Sequence, residues 1–464
     1  MLKRLLKSLK REEINPITMQ VPVTASAVTI SRDQHTISRK KISKNALNVM
    51  YELTRAGYQA YLVGGGVRDL LLGLSPKDFD VATDATPEQV KHHFKRARIV
   101  GRRFRIVHVR FGREIIEVTT FRGSHDQTDN SKINRKDKTQ VNDHGMLLRD
   151  NVFGSLHDDA MRRDFTINSL YYSIEGFNVL DYTNGMQDLA DKKIRIIGDA
   201  AQRYVEDPVR MLRAIRFQAK FDFSLESATA KSIARLAPLL KQISAPRLFD
   251  EVLKLFLSGK GKKTFQLMEE YGLFSPLFPT TAKLLSDQSE DSKRFHSLIL
   301  SALENTDRRI QQDKPVTPAF LYAALLWPRV LVISEQYRQQ GEPRLRAFQL
   351  AGHQVVDEQM PIIAIPKRFS IPMREIWTLQ HRLETASGKR AVGVLQHSRF
   401  RAAYDFLLLR EQINHEAEPR GPFWTELQIQ HPISKDHTAN NRPRRRRRTG
   451  KPRPRVPLNS TTKD

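Results

Sequence analysis

Residues Tyr61–Val81 read YLVGGGVRDLLLGLSPKDFDV, and the fold is decided in this stretch. A short apolar run, Tyr61-Leu62-Val63, meets three glycines, Gly64, Gly65 and Gly66. Arg68 and Asp69 follow, then a leucine turn, then Lys77-Asp78-Phe79-Asp80. The order predicts a strand, a glycine loop, a short helix from near Val67, and a second strand over Phe79–Ala82. Strand residues two apart point to one side, so Asp78 and Asp80 project together while Phe79 turns into the core. Two such carboxylates repel each other unless a cation sits between them. Mg²⁺ takes carboxylate oxygens, waters and substrate phosphates. A paired-metal site activates an attacking hydroxyl and stabilises the departing oxygen. Gly64 and Gly65 let backbone N–H groups approach phosphate oxygens, and the positive end of the following helix points at them. Arg68 adds a charge-assisted bond to a triphosphate. Alone, Asp-X-Asp is a solvated turn and a triple glycine is a loop; the chemistry lies in their ordered combination.

Three later segments sharpen the reading: Ile99–Val109 (IVGRRFRIVHV), Arg162–Ser169 (RRDFTINS) and Arg203–Phe217 (RYVEDPVRMLRAIRF). With GGGVRD and DFD, they resemble the polymerase-β-type nucleotidyltransferases, in the bacterial branch that holds poly(A) polymerases and tRNA CCA-adding enzymes. The motif-level resemblance runs from about Ile42 to Leu257. Within it, Ile99, Val100, Gly101, Arg102, Arg103, Phe104, Ile106, His108 and Val109 look like the poly(A) polymerase pattern of two aliphatics, Gly, two basics, Phe, then alternating apolar residues around a His. CCA-adding relatives usually lack the Arg-Arg-Phe step. The resemblance therefore implies a poly(A) polymerase, which transfers AMP from ATP to RNA 3′ ends and releases pyrophosphate. A CCA-adding enzyme is the alternative, and a non-catalytic RNA-binding scaffold is an alternative of another class.

The resemblance also implies roles. Asp78 and Asp80 hold Mg²⁺, with Mn²⁺ as a substitute. Asp164 is a further active-site carboxylate and Arg163 a nucleotide contact. Glu117, in the apolar strand Ile115–Val118, is the reserve candidate for the third acid, and the residues alone do not rank the two. Gly64, Gly65 and Arg68 cradle the phosphates. Glu206-Asp207-Pro208 reads as a helix start, capped by Asp207 with Pro208 in its first turn. Asp207 and Arg210, three apart, share a face; in the family this helix reads the adenine base. Without the family, the pair is an ordinary capped helix.

The expected fold is α+β. A polymerase-β-like head, a mixed sheet with helices, spans 42–200. An all-helical neck for nucleotide and RNA follows over 201–272, then a helical RNA-binding body over 273–430. The head is flanked by a basic arm at 1–41, and the body by a disordered Arg-rich tail at 431–464. Within the head, Ser43 starts a helix through Leu53 that ends at Gly57, and Thr86 caps a helix running to about Lys95. Ile106–Phe111 and Glu114–Thr119 form a hairpin through Gly112-Arg113. His125–Gly145 is a polar loop, and Asn178–Asp181 and Ile194–Ile197 are strands bracketing a turn near Gly185. Arg390–Leu409 reads as a single helix. Ser258–Thr264 (SGKGKKT) tempts a P-loop reading, which fails because Phe256 stands where the first glycine belongs.

Composition agrees with a polyanionic partner. The 464 residues carry a formal charge of +26. Residues His431–Asp464 contribute +9 and leave +17 on the rest, so the basic character is not confined to the tail. Arg102 and Arg103 beside the metal-phosphate site, and Arg444, Arg445, Arg446, Arg447 and Arg448 in the tail, are the expected RNA contacts. There is no cysteine, so disulfides and cysteine-ligated zinc are excluded. No apolar run reaches the ~18 residues of a membrane span. The start, MLKRLLKSLKREE, is read as a mobile basic arm; weak contact with an anionic membrane surface is its alternative. A cytoplasmic place and RNA-decay factors as partners are implied by the resemblance.

Overall fold

The chain folds as a sheet-based head followed by helices, in a computed structural model that describes residues 26–101, 105–123, 140–141, 147–149, 152–414 and 418–432. The head strands are β1 (Val28–Ile30), β2 (Ala60–Val63), β3 (Asp80–Thr83), β4 (Ala97–Val100), β5 (Ile106–Phe111), β6 (Glu114–Thr120), β7 (Leu170–Ser173) and β8 (Val179–Asp181). They lie in the order β1-β8-β7-β2-β3-β6-β5-β4. Only the β3–β6 pair in this sheet is parallel, so it is the mixed sheet expected. Its alternating apolar residues, Leu62, Val81, Val107, Val109, Ile116 and Val118, are buried in one core.

Local chemistry explains the flanking helices. Ser43 accepts from the N–H groups of Asn45 and Ala46 and starts α1 (Lys44–Arg55), which buries Ala46, Val49, Met50 and Leu53. The glycine loop leads from β2 into α2 (Gly65–Leu71). Thr86 and Gln89 form a reciprocal capping box at α3 (Pro87–His93), which ends two residues short of the expected Lys95. The expected hairpin forms with Phe111 opposite Glu114. After it come α4 (Leu156–Arg162) and α5 (Gly185–Ala190).

Four expectations change. Residues 26–41, read as the end of a basic arm, instead add β1 to the sheet edge and bury Ile37 beneath it. The chain near Gly185 forms the helix α5 rather than a bare turn, because the Asp181 carboxylate accepts from the N–H groups of Thr183, Gly185 and Met186 and gathers them into a helical start. Of the expected strand Ile194–Ile197 only Ile194 lies in a strand, Lys193–Ile194, which pairs in parallel with Ser224–Leu225, while Ile196 makes an isolated antiparallel bridge to Phe165. Arg390–Leu409 is two helices, because the His397 ring accepts from the Arg399 N–H and opens a new one. Of the polar loop His125–Gly145, only Gln140–Val141 lies within the described residues, paired with Leu147–Arg149.

Beyond the head the described chain is helical: α6 (Ala200–Glu206), α7 (Val209–Phe221), α8 (Ser227–Leu236), α9 (Ala245–Phe256), α10 (Gly261–Glu270), α11 (Phe274–Leu277), α12 (Pro279–Leu285), α13 (Glu290–Gln311), α14 (Pro318–Gln339), α15 (Arg344–Gln359), α16 (Lys367–Thr385), α17 (Gly388–Leu395), α18 (Phe400–Asn414) and α19 (Gly421–Gln430). The start of α10 carries the SGKGKKT segment. The Gly261 and Lys262 N–H groups donate to the Asp307 carboxylate at 2.7 and 3.0 Å, so the chain's own acid occupies the position a phosphate would need. Among the described residues, α14 is the one helix long and apolar enough to cross a membrane, yet its sequence is mostly buried between α13, α15 and α16. Trp377 of α16 donates to its Ala323 carbonyl at 3.0 Å.

Gly185 marks a close approach of two backbones. A Cβ there would collide with the Thr166 carbonyl oxygen, a group that cannot swing aside. Gly185→Ala is expected to cost about 1–3 kcal/mol by overpacking. A thermal melt no lower than that of the parent chain would contradict the stated close approach.

Candidate active site

The site grows from the end of β2. Val63 pairs with Asp80, so the glycine loop leaves the sheet beside the first residue of β3. Gly64 has φ +68° and ψ −134°, a conformation open to glycine and strained for other residues. A Cβ at Gly64 would lie 3.4 Å from the Arg163 Nη1 and 4.0 Å from the Asp80 Oδ2. The loop, one carboxylate and one guanidinium therefore converge. Asp78 is exposed in the lead-in to β3, with its carbonyl oxygen 3.5 Å from a Cβ built on Gly66. Phe79 packs partly buried against the core, as its alternation requires.

Across the parallel pair, Asp80 faces Glu117 in register, and Glu117 faces His108 in the next strand. His108 Nε2 lies 3.3 Å from the Glu117 Oε1. Burial, then the charges of Glu117 and Asp78, push the Asp80 carboxyl up to about 6; Arg163 acts against this. The chain thus leaves negative charge at this point incompletely neutralised. Among the described residues no three His, Asp or Glu side chains close into a cage of metal ligands. The carboxylates at Asp78 and Asp80 are of the kind Mg²⁺ takes, one or two together with substrate phosphates and water.

Asp164 has a different setting. Its Oδ2 accepts from the Arg213 Nε at 2.6 Å, and its Oδ1 accepts from the Asn168 amide at 3.0 Å and the Phe165 N–H at 2.8 Å. Burial alone would raise this carboxyl, but Arg213 and these donors outweigh burial and lower it to about 2. Of the two candidates for a third acid, the structure brings Glu117 beside Asp80 and engages both Asp164 oxygens within the protein. The resemblance favoured Asp164; its ion pair with Arg213 spans 49 residues and leaves no local signal in the sequence.

The two arginines of the motif are anchored. Arg163 donates through Nε and Nη2 to the buried Asp159, through Nε to the Tyr171 hydroxyl at 2.8 Å, and through Nη1 to the Asn168 carbonyl at 3.5 Å, with Nη1 also lying toward Gly64. Arg68 lies behind the loop, with its Nη2 3.3 Å from a Cβ built on Gly65. It donates to Asp69 and to the Asn168 side chain, and stacks over Phe217 and Phe221 of α7. In the free protein its donors are thus engaged by Asp69 and Asn168, at the back of the loop expected to meet phosphate.

The neck supplies the second wall. The expected helix start is shifted: Asp207 ends α6, and α7 begins at Val209, whose N–H reaches the Asp207 Oδ1 at 3.3 Å. The Asp207 Oδ2 accepts from Arg247 of α9 at 2.8 Å. Arg210 donates to Glu206 at 3.0 Å and to the Arg203 carbonyl at 2.8 Å. Asp207 and Arg210 are therefore each held by another residue. Sequence reasoning passed over these supports, Asp159, Tyr171, Arg203 and Arg247. Arg213 and Arg216 follow Arg210 at intervals of three, a spacing that draws a cationic stripe along α7 and was legible in the sequence. Burial, reinforced by neighbouring guanidinium groups, lowers Arg162, Arg203 and Arg216 each to about 10. The Arg203 and Arg216 Nε atoms are buried without an acceptor among the described residues. Arg102, Arg103 and Arg444–Arg448 lie outside the described residues.

Residues 60–195 match the family model described as the poly A polymerase head domain. Residues 222–285 match the probable RNA and SrmB-binding site of polymerase A, and 340–457 the polymerase A arginine-rich C-terminus. Over 462 residues the chain is 49% identical to poly(A) polymerase I of Escherichia coli O6:H1, covering 98% of each. It is 45% identical to poly(A) polymerase I of Haemophilus influenzae over 403 residues, covering 86% and 88%. Similarity to the CCA-adding enzyme of Lactobacillus johnsonii, 38% over 228 residues, covers 49% of this chain and 54% of that one. The crystal structure of the Bacillus stearothermophilus CCA-adding enzyme in complex with CTP resembles it with a TM-score of 0.55 at 26% identity, covering 83% of this chain and 80% of the other.

Asp80 gives this site a pH signature in metal-free protein. Its folded value, about 6, lies above the ordinary value of 3.8, so the folded chain holds a proton that the unfolded chain releases. The stability this group contributes is present near pH 4 and is lost as pH rises through about 6. Asp80→Asn is expected to leave the melt nearly unchanged at about pH 4 and to stabilise by about 2–3 kcal/mol at neutral pH. Melts in chelator across this range check it, and equal shifts at both ends would refute the assignment.

Proposed function

The chain belongs to the poly(A) polymerase I family, and from that premise we propose how its residues carry out the reaction. It is a nucleotidyltransferase that adds AMP from ATP to RNA 3′ ends without a nucleic-acid template. The observation that carries this is the 49% identity over 98% of both chains, whereas likeness to a CCA-adding relative covers about half of each.

In the proposed route the RNA 3′-hydroxyl oxygen attacks the α-phosphorus of ATP in line. The new O3′–Pα bond forms as the bond from Pα to the β-phosphate bridging oxygen breaks, and pyrophosphate departs with that electron pair. Asp78 and Asp80 would hold Mg²⁺, or Mn²⁺ in its place, with Glu117 as the adjoining third acid; their hard oxygens and the unneutralised charge at Asp80 fit such an ion. When bound, the metal favours ionisation of the attacking hydroxyl and stabilises charge on the departing oxygens. Gly64 and Gly65 give the phosphates room to approach the backbone, and Arg163 Nη1 offers positive charge beside them. Arg68 holds the loop from behind through Asp69 and Asn168. The donors of Arg203 and Arg216 that lack acceptors are the chain's reserve for phosphate oxygens. Asp164 holds Arg213 and so acts as a positioning residue.

Asp207 and Arg210 are proposed to read adenine: the acid accepts from the exocyclic amino group and the arginine donates to a ring nitrogen. Arg247 and Glu206 fix the two side chains in place before the base arrives. The neck at 201–272, the body at 273–430 and the basic tail at 431–464 are proposed to guide RNA. The family model matched by residues 222–285, described as a probable RNA and SrmB-binding site, supports RNA binding by the neck. We place the protein in the cytoplasm, with RNA-decay factors as partners.

Primer extension tests the reading. A labelled RNA given Mg²⁺ and ATP alone should yield a long ladder. A product of one to three residues that needs CTP, on a tRNA lacking its CCA end, would instead make it a CCA-adding enzyme; tight binding with no extension would make it a scaffold. Asp78→Ala should abolish transfer without lowering the melt, and near-normal activity would sink the carboxylate assignment. Arg247→Ala should release Asp207 and reduce the ATP-over-CTP preference in kcat/KM by ~10-fold. An unchanged ratio would count against Asp207 as the base reader.

A further inference from the structure

We propose that the groove between α15 and α16, remote in sequence from the catalytic motifs, is a phosphate-binding subsite for the RNA strand. It is a cavity of about 390 Å³ whose polar lining includes His353, Arg374, Arg382 and His397. Its apolar lining includes Phe348 and Ile371. The combination matches a nucleotide, with cations for the phosphate and a greasy surface for ribose and base.

The charge balance points the same way. Neither Arg374 nor Arg382 has a carboxylate partner at ion-pair distance among the described residues, whereas most other arginines of the body do. The acid in the lining, Glu375, is occupied by Arg399 at 3.1 Å. Arg374 has its Nε buried without an acceptor, while its Nη1 lies against the His353 ring, 2.6 Å from Nδ1 and 2.8 Å from Nε2. A buried donor with no acceptor is costly, and a phosphate oxygen would satisfy it. His397 uses Nδ1 to accept from the Arg399 N–H, so its orientation is fixed by the start of α18. Ile371, half exposed at the rim, gives the cationic cavity an apolar edge. Arginine suits phosphate oxygens because its planar fork can donate two parallel bonds.

The proposal rests on the reading of the chain as an enzyme that extends RNA. Its test is binding of a short 5′-labelled single-stranded RNA to the full chain without nucleotide, over a series of salt concentrations. Arg374→Ala/Arg382→Ala should weaken binding ~10-fold and flatten the log–log salt slope by about 1.4, two phosphate contacts' worth. The KM for ATP at saturating RNA should not move. Arg374→Lys/Arg382→Lys keeps both charges and should recover most of the slope, which separates lost phosphate contacts from lost folding. An unchanged affinity and slope in an alanine variant that melts like the parent overturns the subsite. A raised KM for ATP with unchanged RNA affinity overturns the RNA assignment in favour of free nucleotide. Because binding is read without nucleotide, failure of extension would strike the enzymatic reading alone, and the groove would still be decided by the binding data.

Discussion

The ion pair between Asp164 and Arg213 is the contact on which the cleft depends. It joins the segment that follows α4 in the head to the middle of α7 in the neck, with the acid's other oxygen held by Asn168 and the Phe165 N–H. Taking the Asp164 carboxylate out of water is expensive, and Arg213 with the two further donors offsets that cost. The pair is flanked by apolar packing: Phe165 meets Phe217 edge to face, and Arg68 lies over Phe217 and Phe221. Asn168 completes the junction, since its side chain also accepts from Arg68. The glycine loop and the helix proposed to read the base are thereby tied to one another through four polar residues, Arg68, Asn168, Asp164 and Arg213, and a small aromatic cluster.

Around that junction the cleft gathers buried positive charge. Arg162, Arg203 and Arg216 are each pulled down to about 10 by burial and by neighbouring guanidinium groups. On the sheet side the excess is negative, with Asp80 raised to about 6 by burial, Glu117 and Asp78. Two opposite imbalances face a substrate made of a triphosphate and a cation. Each is a cost in the free protein, and the proposed metal–nucleotide complex would offset both together. The structure thus stores in its folded state part of the electrostatic arrangement the reaction needs, in the sense of preorganisation.

The body shows the same division between satisfied and unsatisfied charge. Arg410 is buried, donating to Gln380 and Glu384 and lying over the Trp327 ring, and it serves the packing of α14, α16 and α18. Arg374 and Arg382, on the same α16, lack such acids. An apolar α14 at the centre supplies the core that lets surface arginines be spent elsewhere.

The sequence by itself determined the element types and the centre of the chemistry. Apolar alternation around Asp78-Phe79-Asp80, the glycine triplet and the caps at Ser43 and Thr86 are local signals, and the strand, loop and helix starts follow from them within a residue or two. Tertiary structure alone decided which groups meet. No spacing rule could show that Glu117 lies beside Asp80, because that depends on the parallel register of β3 and β6 across 37 residues. Nor could it show that Asp164 is committed to Arg213, or Asp207 to Arg247, since each pair closes over 40 residues or more. The same holds for β1, whose three residues are a strand only because β8 offers an open edge. Covalent neighbours fix propensity; the partner of a charged side chain is fixed by the burial that removes water from it, and burial is a property of the packed whole.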